Sequence, residues 1–223
     1  MLNILSFGLQ PNQVETGMGG TILKLTESGH KIIIIDLATD DNTSTNQNYK
    51  NEAIKASRIL GIEERITLDL TITTSDAENN QDTLVEMVNI YQNISPDIIF
   101  VPFPIETNID SKKVAELCNT SLRMLDQKQD YHQRPKKTFY YLTDPLNYYQ
   151  KPSFITDISK EIEMKVEALK CYESNFKNAH PENHLFENVL NLNRYYGMLI
   201  GKKFGESFIS QKPLSIQNFE FLL

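Results

Sequence analysis

Cysteines, basic residues and long apolar runs are all scarce in this sequence, and each shortage excludes a class of protein. Two cysteines, Cys118 and Cys171, cannot build a disulfide framework, so reduced thiols and a cytoplasmic location are expected. Lysine and arginine total 22 against 29 aspartates and glutamates, a net charge of −7, which argues against a nucleic-acid-binding protein. The longest strongly apolar run, residues 32–35, is far too short to span a membrane. Residues 1–5 have no basic segment, so no export signal is expected.

Short apolar runs alternate with longer amphipathic ones along the chain, which has 223 residues and is 40% hydrophobic. That composition supports one globular domain over residues 1–223. Strands are predicted at residues 2–7, 32–37, 66–70 and 97–102, and helices at residues 17–28, 49–60, 83–94 and 114–125. Strand–helix alternation of this kind predicts βαβ units and a parallel sheet sandwiched by helices.

The last third of the chain changes character. It has strand-like segments at residues 138–142 and 153–158, helices at residues 158–172 and 187–203, and a strand-like tail. The whole pattern predicts an α/β fold with a Rossmann-like parallel sheet and a C-terminal extension over the crevice. The ligand crevice of such folds lies outside the carboxyl ends of the strands, which directs attention to the loops at residues 9–20, 38–48, 71–80 and 103–111.

The first of these loops contains three glycines in four residues, Gly17, Gly19 and Gly20. One interpretation is a phosphate or sugar site at a helix N-terminus, because glycine lets the backbone approach a ligand closely. The other is tight strand–helix packing, which the spacing favours since it does not match the dinucleotide-binding fingerprint. The last loop has two carboxylates, Glu106 and Asp110, but no histidine or cysteine, and a solvated loop is favoured over a sugar-binding rim.

Several blocks of sequence resemble a known family. Residues 7–21, which read Phe-Gly-Leu-Gln-Pro-Asn-Gln-Val-Glu-Thr-Gly-Met-Gly-Gly-Thr, resemble the opening of the PIG-L/LmbE family of zinc-dependent N-acetylglucosaminyl deacetylases. They are most similar to the branch that deacetylates the glucosaminyl-malate precursor of bacillithiol. Residues 96–102, 134–141, 152–159 and 205–210 are further family-like blocks. The resemblance implies the LmbE-type fold, and its usual activity would be a zinc-dependent amide hydrolysis.

The sequence departs from the family at the residues that would hold zinc. The family's first motif is His-Pro-Asp-Asp-x-Glu, whose histidine and second aspartate bind zinc and whose first aspartate is the general base. The resemblance places Gln10, Gln13 and Asn12 at those three positions. The family's second motif, His-Pro-Asp-His, gives its last histidine to the metal, and Ser111 stands there. Carboxamide and hydroxyl oxygens are weak, neutral donors for zinc, and Asn12 cannot accept a proton, so no cofactor and no hydrolysis are expected.

Two further family residues are replaced under this alignment. The family histidine that steadies the oxyanion falls at Gln150, and the arginine that grips the substrate falls at Tyr49. The polar side chains that remain predict a neutral, hydrogen-bonding pocket for a sugar or glycoconjugate. A pocket that no longer binds any ligand is an equal alternative. The residues proposed to line this pocket are Gln10, Asn12, Gln13, Glu15, Gly19, Gly20, Tyr49, Asn108, Asp110 and Ser111.

Three functions remain open at this point. The first is a catalytically silent deacetylase homologue that binds a glycan-like ligand or a protein partner. The second is an active zinc deacetylase of an N-acetylglucosaminyl conjugate, which only the family favours. The third is a structural subunit that pairs with an active paralogue. The resemblance also implies a homo-oligomer. A separate metal site at His180 and His184, four residues apart, is the weakest alternative.

Overall fold

The computed structural model describes residues 1–37, 43–68, 81–104, 109–127, 133–143, 151–172 and 185–215. Seven strands form one sheet: β1 (Asn3–Gly8), β2 (Lys31–Asp36), β3 (Glu64–Thr67), β4 (Ile98–Pro102), β5 (Lys137–Tyr141), β6 (Phe154–Asp157) and β7 (Gly205–Ser210). The helices are α1 (Gln13–Glu27), α2 (Thr43–Leu60), α3 (Gln81–Ile94), α4 (Ile109–Gln127), α5 (Ile162–Lys170) and α6 (Leu185–Leu199). None of the helices in these ranges is long and apolar enough to cross a membrane.

The sheet has the strand order β3-β2-β1-β4-β5-β7-β6. The first five strands are parallel, as predicted, and in this register Leu5 of β1 pairs with Ile33 of β2 on one side and with Ile99 of β4 on the other. Strand β7 runs antiparallel to both β5 and β6, a direction that the sequence did not predict, so the sheet is mostly parallel.

Both faces of the sheet are covered, which explains why its central strands are apolar throughout. Successive side chains of a strand point to opposite faces. Leu5 and Ile33 join a core cluster with residues of α3 and α4, whereas Ile4, Ile32 and Ile34 join a second cluster with residues of α1, α2 and α5. Strands buried on both faces are typical of doubly wound parallel sheets, and the predicted α/β class is confirmed.

Several predicted boundaries differ from the structure. Helix α1 begins at Gln13 rather than at residue 17, and α5 begins at Ile162 rather than at residue 158. Helix α6 ends at Leu199 rather than at residue 203. Cys118 is buried, whereas Cys171 follows the end of α5 and is only half-buried.

The C-terminal extension has two parts with different positions. Helix α5 packs against α1 and α2 on one face of the sheet. Helix α6 instead contributes Leu192 and Tyr196 to a small apolar cluster with Leu142 and Phe103, which directly follow strands β5 and β4. The extension therefore reaches the carboxyl ends of the sheet through α6 alone among the helices that the structure describes.

Candidate functional site

The crevice predicted from the fold lies where the chain leaves neighbouring strands in opposite directions. After β1 the chain turns through residues 9–12 into α1, which covers one face of the sheet. After β4 it passes through residues 103 and 104 and later enters α4, which covers the other face. Because β1 and β4 are adjacent and parallel, this is the topological switch point at which ligands bind in open α/β sheets.

The side chain of Gln13 bridges the two sides of this switch point. Its Oε1 atom accepts a hydrogen bond from the backbone N–H of Leu9 at 2.7 Å. Its Nε2 atom donates to Oγ of Ser111 at 3.2 Å, across 98 residues of sequence. Gln13 is half-buried and Ser111 is fully buried. We call these contacts the Gln13 bridge. Two of the three positions that the resemblance assigns to metal ligands are thus neighbours, while the side chain of the third, Gln10, is exposed.

Asn12 begins helix α1 in a backbone conformation that few residues adopt. Its φ of 83° and ψ of −23° lie in the left-handed region, which asparagine tolerates better than most side chains. Its carbonyl accepts the N–H of Thr16 at 2.9 Å, but its side chain makes no capping hydrogen bond. The carboxamide of Asn12, at the family's general-base position, is therefore not used to cap the helix.

Zinc does not fit the residues at this site. The donors at the three positions that the resemblance assigns to zinc ligands are two carboxamides and a hydroxyl, and the Gln13 bridge already occupies both polar atoms of one carboxamide. Zinc in proteins is bound by imidazole, thiolate or carboxylate groups. Within the described ranges, no group of three or more histidine, cysteine, aspartate or glutamate residues could hold a metal ion. No hydrolytic step through zinc can therefore be derived for these residues.

Glu15, predicted as a ligand-binding residue, instead belongs to a buried ion cluster. Its Oε1 atom accepts hydrogen bonds from Arg65 Nη1 at 2.6 Å and from the Tyr172 hydroxyl at 2.5 Å. Arg65 also donates to both carboxylate oxygens of Asp36, at 2.5 Å and 3.0 Å. Glu15 and Asp36 are fully buried, so these carboxylates bind the guanidinium rather than a ligand in the crevice.

The two carboxylates of this cluster respond differently to burial. Burial raises the pKa of Glu15, but the Arg65 charge and the hydrogen bonds from Arg65 and Tyr172 outweigh it and hold that pKa below its usual value. For Asp36, burial outweighs the attraction of Arg65, and the nearby Glu15 charge adds to the effect, so its pKa is raised. One guanidinium therefore outweighs the effect of burial on the pKa of Glu15 but not on the pKa of Asp36.

The glycines of α1 face side chains, as the packing interpretation expects. A Cβ atom at Gly17 would lie 2.2 Å from the ring of Tyr141, and one at Gly20 would lie 2.8 Å from Ile158. At Gly19 it would lie 3.1 Å from Cγ of Lys165. All three glycines are buried. They allow close approach of protein side chains. On the side where a Cβ atom would lie, Lys165 covers Gly19 and Ile158 covers Gly20, so neither glycine is open to a ligand there.

A second buried ion pair lies behind these glycines, and sequence analysis did not predict it. Lys165 Nζ donates to the carboxylate of Glu206 at 2.7 Å, to Asn193 Oδ1 at 3.0 Å and to the carbonyl of Thr16 at 2.8 Å. Glu206 in turn accepts the backbone N–H groups of Gly20 and Thr21 at 2.9 Å and 2.6 Å. Burial lowers the pKa of Lys165, and the attraction of Glu206 offsets this only in part. The one signal in the sequence was that Glu206 falls in a family-like block.

The other predicted site residues are not part of the geometry described above. Asn108 and Gln150, and with them Glu106, His180 and His184, lie outside the described residues, and Asp110 is described only as part of helix α4. Tyr49 lies in α2 and is half-buried. The residues that the structure does bring to the switch point are Gln10, Asn12, Gln13 and Ser111.

Comparison with known proteins identifies relatives among sugar deacetylases. A model of the PIG-L family, described as GlcNAc-PI de-N-acetylase, matches residues 11–120. The diacetylchitobiose deacetylase of Thermococcus kodakarensis is 27% identical over 229 residues, which cover 91% of this chain and 80% of that protein.

Two solved structures share the fold over nearly their whole length. The conserved protein TT1542 from Thermus thermophilus has a TM-score of 0.82 and 24% identity, and the similarity covers 97% of each chain. GalB, the 4-carboxy-2-hydroxymuconate hydratase from Pseudomonas putida, has a TM-score of 0.78 and 17% identity, covering 98% of this chain and 99% of that one. These likenesses establish the fold and do not by themselves establish an activity.

Proposed function

We propose, from the match of residues 11–120 to the PIG-L family and from the homology to deacetylases, that this chain is a metal-free member without hydrolytic activity. Its crevice would retain the family's position at the switch point and bind a neutral, hydroxyl-rich ligand. The observation that carries this proposal is the Gln13 bridge, because it uses one family ligand position to hold another by hydrogen bonds.

The lack of hydrolysis follows from the loss of two chemical functions together. A metal lowers the pKa of a bound water so that it can attack an amide at neutral pH, and a general base accepts its proton. The carboxamides of Gln10 and Gln13 and the hydroxyl of Ser111 supply no such metal site, and the carboxamide of Asn12 is not a base. Restoring one of these functions alone would not restore the reaction, because the groups act as a unit.

The ligand class follows from the groups that remain. The carboxamides of Gln10 and Asn12 each offer a donor and an acceptor, as sugar hydroxyl and acetamido groups require. The matching family and the deacetylase relative are named for N-acetylglucosamine derivatives. An N-acetylhexosamine conjugate is therefore the proposed ligand, and N-acetylglucosaminyl-malate, as in the bacillithiol branch, is one candidate.

The proposal is tested by metal content, turnover and binding on the same preparation. We expect no stoichiometric zinc by elemental analysis and no deacetylation of N-acetylglucosaminyl-malate or diacetylchitobiose. The control is a variant with Gln10→His, Asn12→Asp, Gln13→Asp and Ser111→His, which should gain zinc. Stoichiometric zinc in the unmodified protein, or turnover within roughly a hundredfold of about 10 s⁻¹, would overturn the proposal.

Ligand binding is measured separately by NMR titration with N-acetylglucosamine conjugates. Shifts at Gln10, Asn12 and Gln13 at millimolar ligand would support a sugar-binding crevice. Without such shifts the crevice binds no sugar. The sugar-binding part of the proposal is then replaced by a role in protein interaction, such as a structural subunit paired with an active paralogue.

An active metal-dependent deacetylase is the second candidate function. The observation in its favour is the 27% identity to a deacetylase over 91% of this chain. The zinc measurement separates the two candidates, because an active enzyme of this kind requires the metal and the proposed metal-free member does not bind it.

A further inference from the structure

A small cleft lined by basic side chains lies at the end of the sheet opposite the switch point. It is formed where β5 begins and where the antiparallel strand β7 ends, on the amino-terminal side of the parallel strands. No carboxylate is among the described residues that line it. The basic and hydroxyl side chains that line it, which we call the lysine cleft, are Arg134, Lys136, Lys137, Thr138, Ser210 and Lys212.

Two of the basic side chains have carboxylate partners outside the lysine cleft. Lys136 Nζ donates to Asp97 at 2.7 Å, and Arg134 Nη1 donates to Asp126 at 2.8 Å. That contact uses one of the five N–H donors of the Arg134 guanidinium. The other two, Lys137 and Lys212, form no ion pair with any residue that the structure describes. The lysine cleft therefore holds two ammonium groups whose charge these parts of the chain do not neutralise.

The pairing of β5 with β7 makes these two lysines neighbours. The pairing continues past the end of β7, because the N–H of Gln211 donates to the carbonyl of Thr138 at 3.3 Å. One further step in this register places Lys212 opposite Lys137, and both side chains line the same cleft. Like charges directly opposite each other on antiparallel strands destabilise a sheet. An anion that binds both ammonium groups would remove this repulsion.

The size and charge of the lysine cleft suit a small oxyanion. Its volume open to water-sized atoms is about 50 Å³, which is enough for a group of a few heavy atoms. A phosphate group is compact, carries roughly two negative charges near pH 7 and has several acceptor oxygens. Lysine binds phosphate as a point charge, and arginine binds it through its fixed N–H donors. The whole chain has a net charge of −7, so a cleft lined by cations alone stands out against its surroundings.

We propose that the lysine cleft binds phosphate, either as the free ion or as the phosphate group of a small molecule. Lys137 and Lys212 supply the positive charge from opposite strands, and the remaining donors of Arg134 add hydrogen bonds. A nucleic acid is not the proposed ligand, because its backbone needs an extended basic face rather than one enclosed cleft. The inference does not depend on the proposed function, since the lysine cleft and the switch point lie at opposite ends of the sheet.

A titration with inorganic phosphate, followed by ¹⁵N NMR, tests the proposal. Sodium chloride at the same ionic strength is the reference, because salt of any kind screens charges. We expect saturable shifts of the backbone amides of Lys137, Gln211 and Lys212 with a Kd of about 1 mM or lower. A parallel titration with methyl phosphate distinguishes the two sources. Tighter binding of methyl phosphate indicates a phosphorylated small molecule, and tighter binding of inorganic phosphate indicates the free ion.

Substitution of each lysine tests which charges bind the anion. Lys137→Gln and Lys212→Gln should each weaken phosphate binding about tenfold, because each removes one charged donor. Lys55→Gln is the matched control, since Lys55 is exposed on α2 and the substitution changes the net charge equally outside the lysine cleft. Its affinity for phosphate should stay within about twofold of that of the unmodified protein.

Thermal unfolding gives a second, independent measurement. Without phosphate, Lys137→Gln should unfold at the same temperature as the unmodified protein or a higher one, because it relieves the repulsion from Lys212. Phosphate at about ten times its Kd should raise the unfolding temperature of the unmodified protein by about 3–6 °C, and that of the variant by less than half as much.

Three results would each overturn the proposal. The first is a set of shifts that does not saturate by about 20 mM phosphate. The second is an equal set of shifts in sodium chloride. The third is that Lys137→Gln and Lys212→Gln bind phosphate as tightly as Lys55→Gln does.

Discussion

The Gln13 side chain contacts backbone on one side of the switch point and a side chain on the other. Its Oε1 atom receives the Leu9 N–H and its Nε2 atom reaches Ser111. The family resemblance predicted both residues to be replacements at ligand positions. It could not show that they bind each other, because that contact depends on the adjacency of β1 and β4 in the sheet.

The Gln13 bridge should contribute measurably to stability. Gln13→Met keeps the length of the side chain but removes both hydrogen bonds, and we expect a loss of about 0.5–1.5 kcal/mol for each bond. Thermal unfolding should show a decrease of about 2–4 °C for each kcal/mol in a chain of this size. Gln10→Met is the control, since that side chain is exposed. If Gln13→Met is as stable as the unmodified protein, the bridge has no energetic role.

Helix α1 is shaped by what packs on it. It bends at Met18, whose φ of −146° and ψ of 21° are not helical, and its glycines admit Tyr141, Ile158 and Lys165. Sequence analysis favoured this packing interpretation from the spacing of the glycines. It placed the helix start four residues too late, because a glycine-rich segment with polar residues before it is typical of a loop.

Gly17→Ala should destabilise the protein more than Gly19→Ala. The new Cβ would lie 2.2 Å from the Tyr141 ring, and that ring cannot easily move because its hydroxyl donates to the Phe7 carbonyl at 2.7 Å. Overpacking of this kind costs about 1–3 kcal/mol. At Gly19 the nearest atom is 3.1 Å away, so a smaller loss is expected. Urea unfolding measures both, and the reverse order would contradict the packing account.

The positions of the strands could be predicted from the sequence, but the direction of one strand could not. The central strands could be identified because burial on both faces makes them apolar throughout, and strand–helix alternation indicated their parallel order. The antiparallel direction of β7 could not be predicted, because a strand-like tail after the last helix carries no signal of its direction. The clusters around Arg65 and Lys165 were likewise not predictable, since their members meet only in the assembled sheet.

At the scale of the whole molecule, the ion cluster links distant parts of the chain. Arg65 of β3 holds Glu15 of α1 and Asp36 at the end of β2, and Tyr172 beyond α5 donates to the same Glu15 oxygen. The cluster has two carboxylates for one guanidinium. The raised pKa of Asp36 means that this residue, rather than Glu15, takes up a proton more readily as the pH falls.

Glu15→Gln should reduce stability in a pH-dependent way. The pKa of Glu15 is lowered on folding, so its contribution is present above its ordinary value of 4.5 and is lost as the pH falls through the folded-state value. We expect a loss of roughly 1.5–3 kcal/mol at pH 7 that shrinks below about pH 4.5. Removing the Glu15 charge also removes one cause of the raised pKa of Asp36, so the difference reports on the coupled pair of carboxylates around Arg65.

Urea unfolding between about pH 3 and 7 measures this difference. Glu86→Gln, at an exposed position of α3, is the matched control and should show no such change with pH. A loss for Glu15→Gln that is the same at every pH would mean that packing, and not the carboxylate charge, accounts for its effect.

The contact between Glu206 and the start of the chain has a consequence for biosynthesis. Glu206 receives the N–H of Gly20 across 186 residues and supplies the carboxylate that the buried Lys165 requires. Until β7 has been made, Lys165 lacks the carboxylate that its buried position requires. The domain therefore completes folding only after translation has passed residue 206. A product of premature termination before that codon would remain a substrate for cellular proteases.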